Sequence, residues 1–397
     1  MNLSHVCNIE DLRTLAHRRL PRIVRDFLEG GAEDRLTLRA NRNVFSNMTF
    51  APRMLVNVSQ RSQKVSIFGQ QFDSPFGISP VGAADLFWHQ ADIHMARAAH
   101  SANVPFILST HSFVPVGRVA QETGTPPWFQ LYMPNDRQMI EKVLQQTQDA
   151  GSDVLVLTAD VPVGGNREYN DRNGFGIPFH MSKSNLLDGL LHPRWLTQVF
   201  GRLQLSGGMP THSIEWGARR DMLSWADFIW LRKVWPGKLL VKGILTVEDA
   251  RLAAQHGADG IFISNHGGRQ LDGLPSPVDV LPRIAAAVGD QLAIMVDGGF
   301  RRGSDIVKAL ALGADMVFVG RPVIYGVAVD GENGVNQALR ILSSEVDRVM
   351  ALLGCCSIDD LGTHFLNDPL RETGSIGHHT FPTSKISSPV ARVSSIA

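Results

Sequence analysis

A chain of 397 residues, 44% hydrophobic and 19% charged, with Lys+Arg and Asp+Glu balanced at 38 each, has the make-up of a globular enzyme, either one large barrel or two ordinary domains. The even charge offers no basic face for nucleic acid and no acidic disordered tail. Cys7, Cys355 and Cys356, one remote and two adjacent, make no disulfide framework and fit a reducing, cytoplasmic compartment.

The opening MNLSHVCNIEDLRTLAHRRLP lacks a signal-peptide pattern, and no apolar run is long enough to span a bilayer. The expectation is a protein neither exported nor integral, with surface attachment left open. Residues 1–60 read as a helical N-terminal extension whose best helix region is 10–28. Short apolar runs then alternate with helical segments. The runs are 75–79, 106–109, 128–132, 154–158, 239–242, 260–264, 293–297 and 316–320. Being apolar throughout, they suit parallel strands buried on both faces. Segments such as 247–256 and 304–312 carry helical periodicity and end at Gly257 and Gly313, placed as C-caps. This rhythm predicts a (β/α)8 TIM barrel. A doubly wound sheet would need G-x-G-x-x-G after its first strand, and residues 79–83 read SPVGA.

Residues 174–221 interrupt the rhythm between strands 4 and 5, too long for an ordinary βα loop. They read either as a lid over the barrel mouth or, through the Leu-, Trp- and Arg-bearing stretch 183–205, as a membrane-surface segment. Residues 1–372 are predicted to form a single domain, and 373–397, rich in Ser, Thr, Pro and His, a disordered tail.

Barrel chemistry sits where strands end. Those ends supply Ser109, Gln130, Tyr132, Thr158, Asp160, Lys242, Ser264, His266, Asp297 and Arg321. In the motif SNHGGRQLD, residues 264–272, His266 is a proton acceptor close to Arg269, a pair suited to a 2-hydroxy acid: guanidinium on carboxylate, imidazole on hydroxyl. A structural His in a glycine turn is the competing reading, outweighed by this context. DGGFRRG at 297–303 and Gly320-Arg321-Pro322 place glycines and arginines after the last two strands, where barrels hold a phosphate belonging to a cofactor or a substrate. His89, His94 and His100 have no carboxylate at metal-ligand spacing, so no metal is expected.

Together with LVKG upstream and the downstream DGG…RRGSD, the 264–272 motif resembles the FMN-dependent L-2-hydroxy-acid oxidases and dehydrogenases, a family that includes glycolate oxidase, flavin-type lactate dehydrogenases and mandelate dehydrogenase. The likeness runs from about residue 8 to 361. The wording of 28–34, Trp88 and LLVKG is nearest to mandelate dehydrogenase.

The resemblance implies FMN and oxidation of an L-2-hydroxy acid to the keto acid. It makes His266 the base, with Asp160 holding its imidazolium, and Arg269 and Arg167 the carboxylate grip. Tyr132 would bond the reacting substrate, and Lys242 would sit near the flavin N1. Pro80, Val81, Gly82, Ser109, Gln130, Thr158 and Ser264 would hold the flavin or its ribityl chain. Asp297, Gly298, Gly299, Arg301, Gly320 and Arg321 would lie at the phosphate end. Phe27 stands at a substrate-binding position where the family has Tyr, which removes a hydroxyl worth roughly 1.5–3 kcal/mol to a charged acceptor. Gly82 leaves room near the flavin edge, favouring a dehydrogenase that passes electrons to quinone or another acceptor; a peroxide-forming oxidase is the alternative. Some family members dock to the inner face of the cell membrane through the insertion, and homotetramers are usual. From another class, a phosphate-substrate barrel isomerase or lyase predicts a colourless protein, and a catalytically silent binding barrel predicts a flavin that no 2-hydroxy acid bleaches.

Overall fold

Burial on both faces organises the barrel. A computed structural model describes residues 3–134, 136–176, 182–207 and 220–367. Its barrel strands are β1 (Phe76–Ile78), β2 (Ile107–Ser109), β3 (Trp128–Leu131), β4 (Val154–Thr158), β5 (Lys238–Ile244), β6 (Gly260–Ile263), β7 (Ala293–Asp297) and β8 (Met316–Val319). All pair in parallel in the order β1-β8-β7-β6-β5-β4-β3-β2. A parallel bridge between Ile78 and Phe106 brings the two ends of the sheet together. Each predicted apolar run is a strand, and nearly every strand residue is buried, as helices outside and side chains inside require.

The N-terminal ends of the strands are plugged. A hairpin of Val65–Ile67 and Gln70–Phe72 sets Ile67 and Phe72 against Ile107, Trp128, Val154 and Met316. The Phe68 and Trp128 rings lie 5.9 Å apart. Higher in the barrel, Phe262 and Phe318 pack at 4.8 Å.

The N-terminal extension departs from the single helix region predicted over 10–28. Helix α1 (Ile9–Arg19) stops, and α2 (Arg22–Glu29) starts after Pro21, whose ψ of 155° is extended. Proline lacks the N–H that would continue the helical ladder, so the periodicity crosses a break. Helix α3 (Leu36–Asn43) follows and docks on the mouth: Asp272 accepts from the backbone N–H groups of Leu36 (3.0 Å) and Thr37 (2.8 Å).

The insertion is not featureless. It contains a helix, Lys183–Leu190, then helical turns from Pro193 to Leu205, with Trp195 buried and donating its indole N–H to the Leu86 carbonyl at 2.8 Å. Residues 177–181 and 208–219 of the insertion, and the tail assigned to 373–397, lie outside the described residues.

Candidate active site

Three strand ends build the centre of the site. His266, on the turn after β6, has a left-handed φ of 57°, uncommon for a side chain with a Cβ, and its N–H donates to Ser264 Oγ at 3.1 Å. The turn aims the ring so that Nδ1 lies 2.8 Å from Asp160 Oδ1 and Nε2 lies 3.2 Å from the Tyr132 hydroxyl. Asp160 fits because β5 bulges between Lys242 and Ile244, with Gly243 at φ 110°. A Cβ at Gly243 would stand 2.6 Å from the Asp160 Cβ.

Burial lowers the His266 proton affinity, and the pull of Asp160 only partly restores it, leaving the imidazole below its ordinary pKa. Burial by itself would raise Asp160. The His266 charge and hydrogen bond, with Lys242 behind them, reverse that and hold the carboxyl below its usual range. An ionised, acceptor-only partner fixes the proton on Nδ1 and leaves Nε2 as an acceptor beside Tyr132. Burial, then Asp160, push the Tyr132 phenol up to about 12, so it stays a neutral donor.

Beneath this relay lies a buried cation. Lys242 Nζ donates to Ser264 Oγ (2.6 Å) and pairs with Asp297 Oδ2 (3.0 Å), while Ser264 Oγ donates to Asp297 Oδ1 (2.6 Å). Desolvation works against the ammonium, but Asp297 and Asp160 together raise its pKa. A second polar chain runs beside it: Ser109 Oγ donates to Gln130 Oε1 (3.0 Å), and Gln130 Nε2 to Thr158 Oγ1 (2.9 Å).

Arginines close the mouth. Arg269 donates to the carbonyls of Phe27 (2.8 Å) and Gly30 (3.1 Å), with its Cζ 4.9 Å from the Phe27 ring centroid. Arg167 Nε donates to the Arg269 carbonyl at 3.0 Å. Arg321 donates to Leu28, Gly30 and Gly267 carbonyls (2.9, 2.8 and 3.2 Å), so it fixes backbone as well as adding charge. Burial and then Arg167 bring Arg269 down to about 10, yet it stays a cation at neutral pH.

These groups surround a cavity of about 500 Å³. Its wall includes Phe27, Tyr132, Arg167, His266 and Arg269, then Pro80, Val81, Gly82, Thr158 and Lys242, then Asp297, Gly298, Gly299, Arg301, Gly320 and Arg321. Asp160, Ser109, Gln130 and Ser264 stand behind that wall and bond the residues that line it. Phe27 stacks on Phe175 at 4.3 Å. His111 and Arg220 also line the cavity, and sequence reasoning missed both. The signal for His111 was its place two residues past a strand end; Arg220 gave none, since it closes the irregular insertion. No group of His, Cys, Asp or Glu able to hold a metal ion occurs among the described residues.

Residues 16–368 match the FMN-dependent dehydrogenase family. The (S)-mandelate dehydrogenase of Pseudomonas putida is 42% identical over 382 residues, covering 94% of this chain and 96% of that protein. An L-lactate dehydrogenase of Chromohalobacter salexigens is 40% identical over 369 residues, covering 90% and 94%. Among solved structures, that of a monotopic membrane protein, (S)-mandelate dehydrogenase, superposes with a TM-score of 0.85 at 40% identity, over 92% of this chain and 100% of that one.

Proposed function

We propose, from the premise that this chain belongs to the FMN-dependent dehydrogenase family, that the residues gathered at its barrel mouth carry the family's reaction. The protein is an oxidoreductase that oxidises a 2-hydroxy acid with FMN. A phosphate-substrate isomerase or lyase is thereby set aside.

The residues present suit FMN. Ser79 Oγ, just past β1, is buried without a hydrogen-bond partner among the described residues. Thr158, Lys242 and the backbone of Pro80, Val81 and Gly82 add polar groups along the same wall. Gly298, Gly299 and Gly320 offer bare backbone beside the cations Arg301 and Arg321, as a phosphate needs. When bound, FMN supplies an acceptor for two electrons.

The chain's own groups do the rest. Arg269 and Arg167 hold the substrate carboxylate and so orient the adjacent carbon. His266 Nε2 accepts the hydroxyl proton, and Asp160, 2.8 Å from Nδ1, stabilises the imidazolium that results. The Tyr132 hydroxyl donates to the reacting oxygen. Lys242, fixed by Ser264 and Asp297, sets a positive charge where negative charge arrives. The observation that carries this reading is the Asp160–His266–Tyr132 relay opening into the cavity. The test is anaerobic bleaching of the yellow protein by 2-hydroxy acids. His266→Gln should keep the colour and lose the bleaching, and a variant that bleached at the wild-type rate would refute the assignment.

For the electron acceptor we favour a quinone or similar carrier over oxygen, as the two relatives at 40–42% identity are named dehydrogenases, although solved mandelate oxidases match at 35%. Dye reduction that exceeds peroxide formation supports this; peroxide in step with substrate loss points to an oxidase. Docking on the inner face of the cell membrane has its own support. Leu186, Leu187, Leu190 and Leu191 are 49–79% exposed beside exposed Lys183 and Arg194, and one similar structure is of a monotopic membrane protein. No helix among the described residues is long and apolar enough to cross a membrane. Replacing the four leucines with Ser should abolish flotation with anionic vesicles, and retained flotation would leave the stretch as a lid. Homotetramers are the family expectation, checked by sedimentation.

A further inference from the structure

Helix α2 is only eight residues long and starts after Pro21, whose side chain has no acceptor to offer the N–H groups of the first turn. The cap comes from the insertion instead. Asp188, on the helix Lys183–Leu190, accepts the backbone N–H of Arg22 through Oδ2 at 2.5 Å. A carboxylate there meets an orphan donor and the positive end of the helix dipole together. A second link runs beside it. Asn185 Nδ2 donates to the Asn173 carbonyl at 2.9 Å, and Asn173 Nδ2 to Asp26 Oδ2 at 2.6 Å. Leu186, Leu187 and Leu190 of the insertion helix are 49–65% exposed, so polar bonds carry much of its hold on α2.

The other end of α2 carries Arg269. The carbonyls of Phe27 and Gly30 accept from that guanidinium at 2.8 and 3.1 Å, its two side-chain hydrogen bonds among the described residues. Arg321 leans on the same end through Leu28 and Gly30, but it has a third anchor off the helix, the Gly267 carbonyl at 3.2 Å. An isolated helix of two turns is unstable in water, and its length is only about 12 Å. A loosened first turn is therefore felt at the last one, and by Arg269 more than by Arg321.

We infer that Asp188 is a positioning residue for the substrate: by capping α2 from the insertion, it sets where the helix presents its last carbonyls and so where Arg269 meets the carboxylate. This rests on the assignment of Arg269 to that carboxylate.

The test is anaerobic flavin reduction of the FMN-loaded enzyme by L-lactate and L-mandelate, the faster of the two serving as reporter. Asp188→Ala should raise KM about 3- to 10-fold and leave kcat within about twofold, because grip is lost and chemistry is not. Asp188→Asn keeps an acceptor oxygen and should recover most of the affinity. Arg22→Pro removes the N–H at the first helical position, where proline is tolerated. It should raise KM as Asp188→Ala does, with Arg22→Ala, which keeps the N–H, as the control for the lost side chain. The double variant should do no more than either single one. FMN affinity should move less than KM, since Arg321 keeps its third anchor. An unchanged KM in Asp188→Ala or Arg22→Pro overturns the inference and leaves the reaction standing, as does equal weakening of FMN and substrate. Should Asp188→Ala not fold, Arg22→Pro decides. A wild-type KM in Arg269→Met removes the carboxylate assignment and the inference together, and bleaching by neither acid removes the reaction as well.

Discussion

Arg269 and Arg321 share one acceptor, the carbonyl of Gly30, at 3.1 and 2.8 Å. Together with the Phe27 and Leu28 carbonyls, it forms the C-terminal end of α2, whose orphan acceptors and negative dipole end welcome cations. Two arginines that line the cavity therefore also cap a helix of the N-terminal extension. The extension is part of the site.

Gly30 has no room for a side chain, because a Cβ would overlap the Tyr169 ring. Gly30→Ala should cost about 1–3 kcal/mol of stability and raise KM by displacing Arg269. Thermal melts with substrate kinetics check this, and an unchanged KM would uncouple the helix end from substrate binding.

The pH profile follows from His266. Its depressed pKa means the neutral, proton-accepting form persists below the usual histidine range, so the acid limb of kcat/KM should lie under about pH 6.5. Asp160→Asn removes the group that raises the imidazole, so the limb should move to still lower pH. The rate should fall by about 10²–10⁴ as the imidazolium loses its partner. Stopped-flow reduction from pH 5 to 9 reads both, and a limb moving upward would contradict the pairing.

Lys242 and Asp297 should be separable. Lys242→Met strands a buried carboxylate and should cost roughly 3–5 kcal/mol of stability. Adding Asp297→Asn should recover most of that loss without restoring flavin reduction. Recovery of both would make the lysine a packing element only.

Phe27→Tyr tests the missing hydroxyl. The new group would extend from a ring next to Arg269 and, if it reaches the carboxylate, should lower KM by about tenfold. A KM that does not move would mean the arginines already saturate that carboxylate.

Asp92 offers a stability test away from the chemistry. It is 1% exposed and accepts from Ser112 Oγ at 2.6 Å; burial and then Asp85 push its pKa up to about 8. Between the unfolded value near 3.8 and about 8, the folded state holds a proton that the unfolded state releases, so this group lowers stability as pH rises through that window. Asp92→Asn should raise the melting temperature at pH 8 relative to wild type, with the gap closing near pH 4. A gap independent of pH would contradict the protonated carboxyl.

Much of this was legible in the sequence because it is local. The strand runs betray burial on both faces, and SNHGGRQLD packs an imidazole and a guanidinium into one turn. Pro21 was legible too, but amphipathic periodicity on both sides of it masked the break. Arg220 was not legible, and His111 was only faintly so, by its place just past a strand end: they are far apart in the chain, and the fold alone sets both against Tyr132. Nor did sequence show that Arg321 would engage the backbone of α2. That contact needs the extension folded over the mouth.

The hairpin at 65–72 has a kinetic corollary. Among the described residues Ile67, Phe68 and Phe72 cork the far end of the barrel, so fuel and oxidant should share the mouth, and the keto acid should leave by the way its precursor came in. Initial-rate plots at several acceptor concentrations should therefore run parallel, the signature of reactants that take turns.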